Sequence, residues 1–224
     1  MRTISWPCPW LVQRMQIYLE LSKWRVTCLM LITVWVGMTL ASSTPVAWQL
    51  SFFTLLGIGL IASAAGALNH LLERHLDSQM ARTERRPLPQ GKISSLHVLL
   101  FSITAGLSGL SLLSLFTNPL TGFLSLISLI GYAFFYTLYL KHHTPQNIVI
   151  GGLAGAMPPL LGWTAISGNI DPGGLILVLI IFIWTPPHFW SLAQQHHHRE
   201  QVAGATFDGH GLGAEASDGS RARQ

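Results

Sequence analysis

The chain has 224 residues, of which 50% are hydrophobic and only 10% are charged, and its formal net charge is +4. Soluble domains carry about 25% charged residues, so this composition excludes a water-soluble surface. Two cysteines exclude a disulfide scaffold, and the high apolar content excludes a disordered chain. The composition predicts a polytopic membrane protein.

Six apolar stretches are long enough to cross a hydrocarbon core of about 30 Å, which takes about 20 helical residues. The predicted fold class is therefore all-α, a polytopic transmembrane helical bundle. Residues 194–224 are polar and rich in Gly, Ala and Ser, so we predict a disordered tail there. The predicted spans cover approximately residues 26–44, 48–68, 95–116, 120–140, 147–168 and 174–193.

The basic residues predict the orientation of these spans. All 13 Lys and Arg residues lie before the first span, between the second and third, between the fourth and fifth, or after the sixth. The positive-inside rule then places both termini in the cytoplasm. We expect an integral protein of a bacterial cytoplasmic (inner) membrane. The positive charge predicts topology here, and we expect no nucleic-acid partner.

The segment after the second predicted span carries the residues best suited to chemistry. Asn69, Glu73 and Asp77 are spaced i, i+4, i+8, so a helix places three oxygen ligands in one column. Gly66, one turn earlier on the same face, leaves room beside them. Mg²⁺ takes one or two protein carboxylates and fills its shell with water and phosphate oxygens. The alternative is an ordinary charged loop whose acids offset its arginines.

Three basic positions follow the column and are suited to bind the oxygens of a diphosphate. Together with the acids, they predict a metal–diphosphate site at the cytoplasmic mouth of a helical bundle. Ionisable groups at membrane depth generally have a function. The basic positions are Arg82, Arg86 and Lys92.

Three sequence strings carry a family resemblance. The first runs from Asn69-x3-Glu73-x3-Asp77 to Arg86-Pro87-Leu-Pro89, the second is Thr144-Pro-Gln-Asn147, and the third is Thr185-Pro-Pro-His-Phe-Trp190. In this order they resemble the UbiA-type intramembrane prenyltransferases and, more narrowly, the protoheme IX farnesyltransferases. The resemblance covers roughly residues 16–193.

The resemblance implies a reaction. Farnesyl diphosphate would donate its farnesyl group, through an allylic cation, to a vinyl group of heme B (protoheme IX), giving heme O. The substrates would be farnesyl diphosphate and heme B, the cofactor Mg²⁺, and the product would be handed over to terminal oxidase assembly. The roles carried over are catalytic and metal-binding for Asn69, Glu73 and Asp77, diphosphate-binding for Arg82, Arg86 and Lys92, and heme-binding for His188. For His188 the alternative is an ordinary histidine at a helix end.

The chain also departs from the family pattern. Glu73 stands where many members have Asp, and Trp24 stands where Pro is usual. The resemblance stops after Ala193, where the family has a second acidic motif and three further spans. We therefore expect about six of nine spans, an incomplete prenyltransferase domain over 1–193, and poor or no activity of the chain as given.

Two other functions remain open at this stage. The chain could be a truncated, non-catalytic membrane fragment, or a prenyltransferase that uses another aromatic acceptor. A small transporter is disfavoured, because the sequence lacks paired broken helices in two matching halves.

Overall fold

The structure is a computed structural model, and it describes residues 9–77, 83, 86–133, 147–188 and 191. Within these residues every regular element is a helix, which confirms the predicted all-α class. The chain divides into two compact units, Met1–Phe182 and Ile183–Gln224. The described helices are α1 (Pro9–Leu21), α2 (Trp24–Ala41), α3 (Trp48–Leu72), α4 (Arg74–Asp77), α5 (Ser95–Phe116), α6 (Pro119–Ile130), α7 (Asn147–Ala156), α8 (Pro158–Ser167) and α9 (Pro172–His188).

Three of these helices, α2, α3 and α5, are long and apolar enough to cross a membrane. Two shorter apolar helices accompany them, α9 and the extension of α6 to Ala133. The outward face of α2 is strongly apolar, with Val26, Leu29 and Ile32 between 55% and 64% exposed. A contiguous apolar surface of this kind suits lipid rather than water. The protein is an integral membrane protein.

Helix α3 is longer than its predicted span. Its 25 residues reach about 37 Å at 1.5 Å per residue, whereas the hydrocarbon core is about 30 Å thick. The second predicted span ended at residue 68, and the helix continues to Leu72. The additional turn carries Asn69 and His70 at the end of the helix, near the predicted cytoplasmic boundary.

The fifth predicted span, 147–168, is two helices rather than one. α7 ends at Ala156 and α8 begins at Pro158, so Met157 separates them. Pro158 has no backbone N–H and fixes its own φ, which suits the first position of a helix and disrupts an interior one. Hydropathy alone does not detect this break, because both halves are apolar.

Helices α2 and α8 pack backbone against backbone. A Cβ atom at Gly37 would collide with the carbonyl oxygen of Pro159, and one at Gly162 would collide with that of Val34. Each helix therefore contributes a glycine that admits the other's main chain, as is common between membrane helices. Around this contact Val34, Met38 and Leu161 join a buried cluster with side chains of α3, α5 and α6.

Helix α3 packs on α5 along most of its length. Ser102 of α5 donates a hydrogen bond to the carbonyl oxygen of Ala64 at 2.9 Å. A second buried cluster lies nearer the end of α3 and combines Leu21, Ala67, Leu88 and Val98. This cluster ties α1 and the segment before α5 to the end of α3, where the acidic residues lie.

Candidate functional site

Asn69, Glu73 and Asp77, which we call the acidic column, lie one above the other as predicted. α3 ends at Leu72 and α4 begins at Arg74, but the backbone hydrogen bonds continue through this joint. Glu73 N donates to Asn69 O at 3.0 Å, and Asp77 N donates to Glu73 O at 2.8 Å. All three residues are buried, at 3%, 5% and 3% exposure. The column is therefore an internal feature and not a solvated loop.

Cationic side chains bind the oxygens of the column. Arg86 Nη1 lies 2.5 Å from Asp77 Oδ2 and 3.8 Å from Glu73 Oε2. Lys23 Nζ donates to Asn69 Oδ1 at 2.7 Å and to the Tyr132 hydroxyl at 3.3 Å. Two buried carboxylates thus share one guanidinium, and the amide oxygen next to them is held by an ammonium.

Lys23 reaches the column because of the turn between α1 and α2. It adopts a left-handed backbone conformation, with φ 48° and ψ 45°, which costs roughly 1–2 kcal/mol for a residue with a side chain. The turn lies directly on α3, since a Cβ atom at Gly66 would come 2.9 Å from Leu21 O. The room that Gly66 leaves is therefore filled by the main chain that carries Lys23.

Arg86 is positioned by the segment that follows α4. The Thr83 hydroxyl donates to Asp77 O at 3.0 Å, and Arg86 N donates to Thr83 O at 3.0 Å. Two residues further on, Leu88 is buried against Leu21. These contacts hold Arg86 so that its guanidinium lies near both carboxylates.

The arrangement suits a divalent cation bound together with a diphosphate. Within the described ranges no group of three or more His, Cys, Asp or Glu side chains could hold a metal alone. Mg²⁺, however, takes only one or two carboxylates and relies on phosphate oxygens and water for the rest. Glu73 and Asp77 already converge on one cationic group, and Asn69 adds a neutral oxygen. The residues present therefore fit Mg²⁺–diphosphate.

The other predicted site residues lie in different places. Lys92 is exposed and lines a cavity of about 160 Å³ with Arg14, Tyr18 and His97. No residue of the acidic column lines that cavity, so the role predicted for Lys92 stays a prediction. Arg82 lies outside the described residues.

His188 belongs to the second unit. Its ring stacks on Trp184, with 4.3 Å between the ring centroids and 17° between the planes. Its carbonyl oxygen accepts a hydrogen bond from the Ser191 hydroxyl at 2.8 Å. This stacking fits a helix-end histidine as well as a heme contact, and the heme-binding role stays a prediction.

Sequence reasoning missed three residues near the column: Lys23, Tyr132 and His70. Lys23 is one of the basic residues that predict the topology. Nothing in the sequence indicates its contact with Asn69, because the two residues lie far apart along the chain. Tyr132 follows α6 in a π turn over 131–133. His70 directly follows Asn69 in the sequence and is 3% exposed. Only its position next to Asn69 could have identified it.

Comparisons with known proteins point to one family. The model of the UbiA prenyltransferase family matches residues 30–206. The Protoheme IX farnesyltransferase of Legionella pneumophila (strain Paris) is 59% identical over 83% of this chain and 63% of its own length. Protoheme IX farnesyltransferase 1 of Pseudomonas putida (strain W619) is 56% identical over 84% of this chain and 63% of its own length.

A third relative and one solved structure extend the comparison. The Protoheme IX farnesyltransferase of Hahella chejuensis (strain KCTC 2396) is 52% identical over 84% of this chain and 62% of its own length. A chain solved in work on digeranylgeranylglyceryl phosphate synthase in membranes superposes with a TM-score of 0.67 at 23% identity. The match covers 76% of this chain and 59% of that one, and it supports the fold. The chain spans less than two thirds of the length of these relatives.

Proposed function

Because the chain belongs to the UbiA prenyltransferase family, we propose that it transfers the farnesyl group of farnesyl diphosphate to a vinyl group of heme B, giving heme O. The names of the similar proteins supply the acceptor and the donor. The observation that carries the proposal is the buried pair of carboxylates, Glu73 and Asp77, which converge on one cationic group. Such a pair of carboxylates can bind a divalent cation that is also coordinated by a diphosphate.

Members of this family generally bind diphosphate with a divalent metal, and we propose Mg²⁺ held by Asn69, Glu73 and Asp77. When bound, the metal neutralises the phosphate charge that develops as the leaving group departs. The three oxygens are presented by consecutive helical turns, so they require little rearrangement.

Arg86 and Lys23 would each bind the diphosphate while keeping a partner in the column. A guanidinium carries five N–H donors and an ammonium three, so each can hold a phosphate oxygen while keeping a protein partner. Cations placed where negative charge develops stabilise the transition state. Burial strengthens this effect, because the local dielectric is low. We propose Arg82 and Lys92 as further diphosphate contacts and His188 as a heme contact.

The test is heme O formation in membranes of a bacterial strain that makes none. The chain is supplied with heme B, farnesyl diphosphate and Mg²⁺, and the product is compared with that of its own Asp77→Asn variant, so that even a low rate is detectable. Heme O above the variant's background is the expected result. Farnesylation of a quinone-type aromatic acceptor in place of heme would favour the second candidate function. No product with either acceptor would favour the non-catalytic fragment.

We also propose that both termini lie in the cytoplasm of a bacterial cell and that the product is handed over to terminal oxidase assembly. The partition of all 13 basic residues supports the orientation. Ser43, in the exposed loop before α3, is the labelling site of choice. In a background without Cys8 and Cys28, a Ser43→Cys variant should react with a membrane-impermeant thiol reagent added from outside. Labelling from the cytoplasmic side alone would reverse the orientation.

A further inference from the structure

His70 is buried without any hydrogen bond. It is 3% exposed, and neither Nδ1 nor Nε2 has a hydrogen-bond partner among the described residues. Three buried side-chain atoms in that part of the chain share this state: the two nitrogens of His70 and the hydroxyl oxygen of Ser125. Unpaired polar groups at such depth carry a desolvation cost, and each one calls for an explanation.

The position of His70 relates it to the acidic column. His70, Glu73 and Asp77 are spaced i, i+3, i+7, so on a helix His70 points within about 20° of the direction of Asp77. His70 also follows Asn69 directly in the chain, so it lies on the side of α3 that carries the groups that we assign to the metal and the diphosphate.

We propose that His70 is a further binding residue of this site, donating a ring N–H to a phosphate oxygen of the bound diphosphate. The inference rests on the proposed function. A neutral imidazole has one N–H donor and one acceptor nitrogen, so it can bind a phosphate oxygen without adding a third cation beside Lys23 and Arg86. The alternative is a packing role, in which an apolar ring of similar size would serve better.

The test combines unfolding and binding of the full chain in detergent, with Mg²⁺ and inorganic diphosphate as the probe. His70→Phe removes the unpaired nitrogens, so the Tm without ligand should rise by about 2–4 °C. The same variant should bind diphosphate about tenfold more weakly, because it lacks one charge-assisted hydrogen bond. His70→Asn keeps an N–H donor and should retain most of the affinity. Ser125→Ala, the matched control, should leave the Kd unchanged.

The outcomes separate this inference from the proposed function. If the natural chain binds diphosphate and His70→Phe binds it equally well, the inference is wrong and the proposed function stands. If His70→Phe instead lowers the Tm without ligand, the ring nitrogens stabilise the protein without a diphosphate, and the inference is wrong. If the natural chain binds no diphosphate at all, the proposed function and the inference are both overturned.

Discussion

Two buried polar regions join helices in the Met1–Phe182 unit, and they are built differently. The first, the neutral cluster, consists of Asn118, Thr121 and Thr164. Asn118 Oδ1 accepts from Thr121 N at 2.8 Å, Asn118 Nδ2 donates to Thr164 O at 2.8 Å, and the two threonine hydroxyls lie 3.0 Å apart. Each of these groups has a hydrogen-bond partner within the cluster. These hydrogen bonds connect α6 to α8.

The second region, the acidic column with Lys23 and Arg86, joins the α1–α2 turn, the end of α3 and the segment after α4. Its contacts are made by charges on long, flexible side chains, which can exchange a protein oxygen for a phosphate oxygen. It also contains His70, whose nitrogens lack partners in the described residues. The neutral cluster thus satisfies its own polar groups, whereas the column region includes two ring nitrogens without hydrogen-bond partners among the described residues.

The largest effect that this comparison predicts is on stability. Arg86→Ala would remove the guanidinium that pairs with the buried carboxylate of Asp77 and lies 3.8 Å from that of Glu73. We expect the free energy of unfolding to fall by about 3–5 kcal/mol, as for other buried pairs that lose one partner. Chemical unfolding in detergent measures it.

The control for this change is Arg74→Ala. Arg74 is an exposed arginine that hydrogen bonds to Ser95 Oγ at 3.1 Å, and exposed pairs contribute at most about 1 kcal/mol. Equal losses for Arg74→Ala and Arg86→Ala would show that the column is not a buried charged site.

The next effect is on the reaction. In a form of the protein that makes heme O, Asp77→Asn should lower the rate on the order of 10²–10³-fold, the usual result of losing one preorganised electrostatic contact. Asn69→Ala should cost less, because a charged oxygen contributes more to a hard cation than an amide oxygen does. Initial rates in membranes test both. A smaller loss for Asp77→Asn than for Asn69→Ala would contradict the assignment of ligands.

A third effect concerns the turn that carries Lys23. Gly66→Ala would place a Cβ atom 2.9 Å from Leu21 O and should destabilise the chain by about 1–3 kcal/mol through overpacking. It should also weaken diphosphate binding, since Lys23 moves with the turn. In the matched variant Gly106→Ala, the new Cβ would meet Ala64 Cβ at 3.7 Å, an ordinary contact. A stable Gly66→Ala protein with full affinity would disprove the role of this turn.

The smallest effect belongs to the neutral cluster. Thr121→Val removes hydroxyl contacts to Asn118 and Thr164, and we expect a loss of about 0.6–1.7 kcal/mol in thermal unfolding, typical of hydrogen bonds between membrane helices. The Kd for diphosphate should not change. A clear loss of affinity would mean that the two regions are coupled.

The sequence was sufficient to predict the class of fold and the acidic column. Apolar length identifies membrane helices because only closed backbone hydrogen bonding is tolerated in lipid. The i, i+4, i+8 spacing identified Asn69, Glu73 and Asp77, since helix geometry alone brings them together. Arg86 was found because it follows the column closely along the chain.

The rest depended on contacts that no local pattern records. Lys23 meets Asn69 because α1 and α2 meet in a left-handed turn, and the glycine that admits this turn lies on another helix. The break at Met157 was missed because hydropathy does not distinguish a proline at the start of a helix from one in its interior. The burial of His70 cannot be predicted from the sequence, because it depends on the surroundings of α3 rather than on the neighbours of His70 along the chain.

The reciprocal glycines of α2 and α8 have a consequence for the order in which the chain assembles during synthesis. More than half of the chain separates Gly37 from Gly162, so α2 enters the membrane long before its backbone partner has been made. Until then, the groove at Gly37 must face lipid, and α3 and α5, which are closer in sequence, are free to pair first. We therefore expect α2 to reach its final packing only when α8 has been inserted. If translation is stalled before α8 has left the ribosomal exit tunnel, α2 should still be loosely packed. It should then crosslink to the membrane-insertion machinery.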